Sequence, residues 1–104
     1  MKVNQKILQA AQDVNIYLNS GLFENKFKVI FVDQKNLLVI TAKDQESMDL
    51  LHECVKVKSN SRYKKVKEVI DKNDIPALLI KGKAIKRLAD SLIPYFDIYV
   101  DFKV

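Results

Sequence analysis

The chain contains few of the residues that build catalytic and metal sites. Its 104 residues include one cysteine, one histidine, two glycines, two prolines and no tryptophan. Reduction of a disulfide needs an attacking thiolate and a second thiol that resolves the mixed disulfide, which Cys54 alone cannot supply. A zinc site takes three or four protein ligands, and only His52 joins Cys54 as a Cys or His ligand. We therefore predict no dithiol activity and no metal site.

Other catalytic arrangements are also missing. Two glycines cannot build a glycine-rich phosphate loop, and no serine stands in a glycine-framed nucleophile turn. Glu24-x-Lys26 and Asp33-x-Lys35 have the spacing by which some nucleases hold a metal, but such triplets are common in any lysine-rich chain. We predict no catalytic residue and no cofactor. An enzyme with a single reactive thiol or a bound metal is an alternative that we rank third, after a protein-binding module and a nucleic-acid-binding protein.

Long apolar runs are absent too. No segment approaches the roughly 18 uncharged apolar residues of a membrane span, and the amino terminus lacks a basic region followed by an apolar signal core. With 48% apolar residues, the chain has enough material for one core and is too short for two. We expect a single globular domain over residues 1–104, with no membrane partner. A lone cysteine fits the reducing cytoplasm.

Positive charge is what the sequence has in excess. The formal net charge of +5 divides into −1 over residues 1–53, +8 over residues 54–89 and −2 over residues 90–104. A basic section of this kind attracts phosphate groups or an acidic protein surface. It is equally typical of the solvated face of a helix, so composition alone leaves both interpretations open.

Hydrophobic periodicity predicts a helix, a hairpin and a second helix in the first half. The first helix follows Asn4, a favoured N-cap residue, and is marked by apolar residues at helical spacing: Ile7, Ala11, Val14 and Leu18. Lys26–Val32 and Leu37–Ile40 read as two strands joined by turn residues. Thr41 and Asp44 stand where the second helix should start, and the carboxylates of Asp44 and Glu46 would lie favourably near its positive N-terminal end.

In the second half the pattern predicts helices and strands in alternation. A short strand is predicted at Val55–Lys58. Tyr63, Val66 and Ile70 have the spacing of a helix, which Pro76 would end, and the apolar run Ala77–Ile80 reads as a buried strand. A further helix is marked by Ile85, Leu88 and Leu92 and is expected to stop near Pro94.

The order of elements resembles a known family. Residues 66–85 read as a helix end, a turn reaching Ile75-Pro76, a buried strand and a Gly82-Lys83 turn before another strand. This stretch is similar to the back half of the glutaredoxins in the thioredoxin superfamily. The resemblance implies a thioredoxin-like α/β sandwich with a mixed sheet of about four to five strands flanked by helices. Residues 36–104 would form its core, and residues 1–35 would add a helix and a strand.

The resemblance also implies where a site would lie. The loop that carries the thiols in that family here reads Lys43-Asp44-Gln45-Glu46-Ser47, without cysteine. Pro76 matches the family's proline, which is usually cis and faces the active site. Asp44, Ser47 and Pro76 would border this surface, and a groove beside Pro76 would accept an extended peptide by backbone pairing. Lys86-Arg87 replaces the Gly-Gly that approaches glutathione. We expect a redox-inactive binding or adaptor module for a protein or peptide.

A rival interpretation is a nucleic-acid-binding regulatory protein. Residues 55–104 also fit a β-α-β-α-β order that resembles the small Alba-type domains, if residues 82–87 begin a helix rather than a turn and strand. Phosphate contacts would come from basic residues. These are Lys56, Lys58, Arg62, Lys64, Lys65, Lys81, Lys83, Lys86 and Arg87.

The carboxy-terminal segment alternates between apolar and polar residues. Phe96, Ile98 and Val100 fall on one side, and Asp97 and Tyr99 fall on the other. This alternation predicts a strand with one wet face. An exposed edge strand invites pairing, so residues 96–104 are a candidate interface for a homodimer or a partner. The alternative is that the strand lies within the monomer's own sheet.

Overall fold

The computed structural model describes residues 4–55, 62–67 and 74–103, and of residues 62–67 and 96–103 only the backbone. The elements in chain order are α1 (Gln5–Leu18), β1 (Phe27–Val32), β2 (Leu37–Ala42), α2 (Gln45–Cys54), β3 (Arg62–Lys67), β4 (Asp74–Lys81) and α3 (Lys83–Lys103). Single 3-10 turns at Gly21–Phe23 and Asp33–Lys35 flank β1. The predicted strand at Val55–Lys58 begins at the C-cap of α2 and otherwise lies outside the described residues.

Local signals place the first two helices correctly. The side-chain oxygen of Asn4 accepts hydrogen bonds from the backbone N–H groups of Lys6 and Ile7 at 3.0 and 3.3 Å. Asp44 caps α2 by accepting from the N–H of Ser47 at 2.8 Å. Each cap pairs a backbone donor that has no partner within its helix. The predicted helix starts at Asn4 and Asp44 are confirmed.

The predicted hairpin is also confirmed. β1 and β2 are antiparallel, with Val29 opposite Ile40 and Ile30 opposite Val39. The chain reverses at Asn36, which has a left-handed φ of 48°. Asparagine is one of the few non-glycine residue types that adopt this conformation readily.

The prediction of a mixed, thioredoxin-like sheet of four to five strands is wrong. The described strands form one sheet in the order β1-β2-β4-β3, and all three strand pairs are antiparallel. A mixed sheet requires at least one parallel pair, which needs a crossover connection between its strands. Here β4 lies between β2 and β3 and runs opposite to both.

The predicted helix around Tyr63 and Val66 is a strand instead. β3 pairs with β4 from Arg62 opposite Leu79 to Lys67 opposite Asp74. The three-residue spacing of Tyr63 and Val66 suggests a helix, yet both are residue types that favour strands. Pairing with an apolar neighbouring strand overrides the weak local signal.

Pro76 occupies β4 without breaking the sheet. The β2–β4 ladder ends at Thr41 opposite Ala77, one residue before Pro76 is reached. Its missing N–H therefore leaves no gap in that ladder. None of the described peptide bonds is cis, so the expectation of a cis Ile75–Pro76 bond is wrong.

The segment after β4 is a helix from its first residues. Gly82 adopts a left-handed φ of 62° and forms the predicted turn, but α3 begins directly after it, at Lys83. The strand expected after Gly82-Lys83 is therefore wrong. One buried stripe at helical spacing holds α3 on the core: Ala84, Ile85, Leu88, Ala89 and Leu92.

The expectation that the last helix stops near Pro94 is wrong, because α3 continues to Lys103. Pro94 removes the donor that would pair with the carbonyl of Asp90, and both residues are exposed, so water can hydrate that carbonyl. The strand predicted for residues 96–104 is also wrong, since residues 96–103 are helical. Tyr95, Ile98 and Phe102 also recur at helical spacing, so the segment fits both periods.

The core lies on one side of the sheet. A single cluster of buried side chains joins Leu38 and Ile40 of β2, Leu78 and Ile80 of β4, and the buried residues of all three described helices. Partly buried Phe27, Val29 and Phe31 of β1 pack against the same cluster. The helices therefore cover one face of the sheet.

We expect truncation of Ile40 to destabilise the protein far more than truncation of Ile30. Ile40 is 0% exposed and Ile30, opposite Val39 on the other face, is 47% exposed. Ile40→Ala leaves a cavity and should lower the free energy of unfolding by about 3 kcal/mol, against about 1 kcal/mol or less for Ile30→Ala. Urea unfolding measures both, and equal losses would show that the helices do not define the buried face.

Candidate functional site

The face of the sheet turned away from the helices is the most distinctive surface of the described structure. We call it the open face. Its positions follow from strand alternation and are Lys28, Ile30, Val32, Leu37, Val39, Thr41, Ile75, Ala77, Leu79 and Lys81. None of its aliphatic side chains belongs to the core cluster or packs against it.

The centre of the open face is aliphatic. Ile30 lies opposite Val39, and Val39 lies opposite Leu79, so three strands place their side chains in one row. Directly opposed residues have Cβ atoms about 5 Å apart, which makes the row continuous. Ile30 is exposed, and Val39 and Leu79 are partly exposed.

Basic residues occupy positions on either side of this row and on the adjacent strand β3. Lys28 is at one end of the open face, in register with Thr41 and Ala77, and Lys81 is at the other end, opposite Leu37. Both lysines are exposed. On β3, Arg62 and Lys64 are in register with Leu79 and Ala77. No carboxylate occupies any of these register positions, so the open face combines an apolar centre with a basic margin.

A pocket opens at the corner of the open face. We call it the lysine pocket; it has a volume of about 300 Å³ and is lined by Asn25, Lys26, Phe27, Lys28, Thr41, Ala42, Lys43 and Ile75. The backbone N–H of Lys43 donates to the carbonyl of Lys26 at 2.9 Å, which holds two of the three lysines side by side. The third, Lys28, also belongs to the open face.

An adjoining groove of about 440 Å³ contains two of the predicted site residues. It is lined by Lys26, Lys43, Asp44, Glu46, Ser47, Asp49, Leu50 and Glu53. Asp44 and Ser47 are thus brought together, but as a helix cap, and Ser47 is only 3% exposed. Pro76 lines neither this groove nor the lysine pocket. The three residues predicted to border one surface do not share a described pocket.

The predicted basic set is divided among several elements. Lys56 and Lys58 lie outside the described residues. Arg62, Lys64 and Lys65 belong to β3, whose backbone alone is described. Lys81 ends β4, and Lys83, Lys86 and Arg87 are exposed on the first turns of α3. Lys86 forms a salt bridge with Asp90 at 3.1 Å. One continuous basic face is therefore not established by the described part of the chain.

Cys54 has the surroundings of a packing residue. Its side chain is partly buried against the core cluster. Burial, and then the negative charge of Glu53, raise the pKa of its thiol. A raised pKa reduces the fraction of the reactive thiolate at neutral pH. Among the described residues no three His, Cys, Asp or Glu side chains are grouped so that they could hold a metal ion.

Comparison with known proteins gives no relative. No family model, curated protein or solved structure matches the chain. These comparisons identify the chain neither as glutaredoxin-like nor as Alba-like. Among the helices within residues 4–55, 62–67 and 74–103, none has both the length and the hydrophobicity of a membrane-spanning segment.

Sequence reasoning missed the open face although it carried a signal. β1, β2 and β4 carry apolar residues on both faces of the sheet, and Ile30, Val39 and Leu79 are examples on the open face. Such strands suggest a sheet covered on both faces. The structure places the described helices on one face only, so Ile30, Val39 and Leu79 on the other face are at least partly exposed. Ala77 beside them is buried.

We expect the Asp44 carboxylate to make stability sensitive to acid. Hydrogen bonds from the side chain and backbone of Ser47 lower the pKa of Asp44. A lowered folded-state pKa contributes stability above the unfolded-state pKa, near pH 4, and this contribution is lost as the pH falls through the lowered value. Asp44→Asn keeps a capping oxygen. Its unfolding free energy should therefore fall less between pH 5 and pH 3 than that of the wild type.

Urea unfolding at both pH values measures this difference. Asp49→Asn is the matched control, because it removes an exposed carboxylate from the same helix outside the cap. Identical acid sensitivity of Asp44→Asn and the wild type would contradict the assignment.

We expect Cys54 to react slowly in the folded protein. Its thiol is partly buried and its pKa is raised, so Ellman's reagent at pH 8 should modify it several-fold more slowly than in the urea-unfolded chain. Equal rates in the two states would show that the core does not protect the thiol.

Proposed function

We propose that this protein is a non-catalytic binding module that docks a partner protein on its open face. The observation that carries the proposal is the row Ile30–Val39–Leu79, which is at least partly exposed and is covered by no described element. An aliphatic centre with a polar margin is the usual composition of a protein interface. The partner surface should be apolar at its centre and acidic around it.

A protein fits the open face better than a single-stranded nucleic acid. Binding of single strands relies on aromatic side chains on which bases stack. The open-face positions of β1, β2 and β4 include no aromatic residue, because Phe27 and Phe31 pack against the core instead. Aliphatic side chains at the centre offer a nucleic acid neither a stacking surface nor a hydrogen bond.

Charge makes a second copy of the chain an unsuitable partner. Two identical open faces would bring the basic margins at Lys28 and Lys81 together, in a protein of net charge +5. Like charges across an interface suppress a wrong partner, and opposite charges guide the right one. An acidic partner satisfies both conditions.

Nucleic-acid binding stays the second candidate because one observation favours it. β3 carries Arg62 and Lys64 beside Leu79 and Ala77, two and four residues before the exposed Lys81 on β4. Cations at these neighbouring positions would contact phosphates without reading sequence.

Because a lone cysteine leaves no internal disulfide to form, we propose the cytoplasm as the compartment of the protein.

The proposal predicts that one substitution on the open face abolishes docking. Proteins captured by the immobilised chain would be purified and titrated singly against the wild type and Ile30→Asp. We expect Ile30→Asp to weaken binding of the true partner by about tenfold or more, because it places a charge in the apolar centre. Ile16→Asp is the matched control, since Ile16 is 54% exposed on α1.

Three results would contradict the proposal. Equal losses in Ile30→Asp and Ile16→Asp would remove the open face as the site. Concentration-dependent dimerisation abolished by Ile30→Asp would assign the face to a second copy. Retardation of DNA or RNA at low ionic strength that is lost in Lys81→Gln and unaffected by Ile30→Asp would favour the nucleic-acid candidate.

A further inference from the structure

The lysine pocket is lined by both polar and apolar residues. Its cationic side chains are Lys26, Lys28 and Lys43, and its other polar side chains are Asn25 and Thr41. Phe27, Ala42 and Ile75 provide apolar surface, with Ala42 buried and the other two partly buried. Among the residues that the structure describes, no carboxylate lines the pocket.

The backbone around the pocket is held in place by hydrogen bonds. The Lys43 N–H donates to the Lys26 carbonyl at 2.9 Å, so the chain entering β1 lies beside the chain leaving β2. The Thr41 hydroxyl donates to the Lys28 carbonyl at 3.4 Å. Asn25 turns into the strand with a left-handed φ of 65°. Lys26 and Lys43 therefore start from fixed neighbouring positions, and Lys28 projects from the same corner.

The cations of the pocket are shared in part with an acidic groove, but among the described residues they are not paired in a salt bridge there. Within the described residues no salt bridge joins Lys26, Lys28 or Lys43 to a carboxylate. The adjoining groove, which shares Lys26 and Lys43, is lined by four carboxylates, those of Asp44, Glu46, Asp49 and Glu53. The pKa of Asp44 is lowered mainly by its hydrogen bonds with Ser47 and further by the charges of Lys43 and Lys26. Three ammonium groups around one opening favour an anion with more than one charge.

We propose that the lysine pocket binds a phosphomonoester carried on an apolar stem, supplied by a phosphorylated side chain of the partner protein. A phosphomonoester is a dianion with three strong acceptor oxygens, so it engages three ammonium groups at once, whereas one carboxylate engages fewer. The apolar residues of the lining contact the stem. Naming a protein as the source rests on the proposed function.

The position of the pocket fits that source. Lys28, Thr41 and Ile75 belong both to the lysine pocket and to the open face. A partner resting on the row Ile30–Val39–Leu79 therefore reaches the pocket without crossing a described element. The apolar centre supplies contact area, and the pocket supplies a requirement for a phosphorylated group.

The test uses the isotope-labelled full chain and small probes at constant ionic strength. Phenyl phosphate, inorganic phosphate, phenylacetate and adenosine monophosphate would be titrated while amide NMR signals are followed. We expect phenyl phosphate to bind most tightly and to shift the amide signals of Asn25, Lys26, Lys28 and Lys43. The variant Lys26→Gln/Lys28→Gln/Lys43→Gln should bind it about tenfold more weakly.

A matched variant separates the pocket from general charge. Lys6→Gln/Lys35→Gln/Lys83→Gln removes the same charge from exposed positions outside the pocket and should bind phenyl phosphate like the wild type. Amide signals elsewhere in both variants report whether the fold is intact. Equal losses in the two variants, or an absence of shifts around the pocket, would overturn the inference.

The other probes test whether phosphate is required and whether a protein rather than a nucleotide supplies it. Phenylacetate binding as tightly as phenyl phosphate would overturn the requirement for phosphate, and tighter binding of adenosine monophosphate would overturn the protein source. The two proposals fail separately. Partner docking lost in Ile30→Asp but unchanged in the pocket triple variant would uphold the open face and overturn the pocket's part in it.

Discussion

Burial of one side of the sheet is the interaction on which the rest of the structure depends. Leu38, Ile40, Leu78 and Ile80 project from the two central strands into the cluster formed with all three described helices. Complete burial of an aliphatic side chain contributes about 2 kcal/mol, so this face provides the main force for folding. Because all three described helices pack there, no described element covers the opposite face, and its properties follow from which residues the strands carry outward.

The sequence predicts elements that are stabilised locally and fails for those stabilised by distant partners. Asn4 and Asp44 form caps within their own first turns, and the β1–β2 hairpin is fixed by a short turn, so all three are readable from neighbouring residues. β3 is stabilised by pairing with β4. The spacing of the residues around Tyr63 does not predict this pairing. The carboxy-terminal segment has apolar residues dense enough to satisfy both strand and helix periods, and its continuity with α3 decides the outcome.

The candidate site shows the same limit. Asp44 stands out in the sequence as a helix start and Ser47 only through the glutaredoxin resemblance, and in the structure both take part in the cap of α2. The open face has no local motif, since Ile30, Val39 and Leu79 come from three strands and meet only through sheet register. The lysine pocket likewise joins Lys26 and Lys28 to Lys43 across the hairpin. Such sites can be deduced only once the strand order is known. The wrong prediction of a mixed sheet does not supply that order.

An aliphatic face on a small protein raises the question of what prevents aggregation. Exposed apolar patches are tolerated when charge keeps copies apart. Here the net charge of +5 opposes self-association, and the cations lie at the margin of the patch, where they would meet first. Discrimination between partners is a difference of affinities, and it is increased as much by repelling wrong partners as by attracting the right one. In the proposed docking mode the same lysines that repel a second copy would attract an acidic surface, so resistance to self-association and choice of partner would have one physical origin.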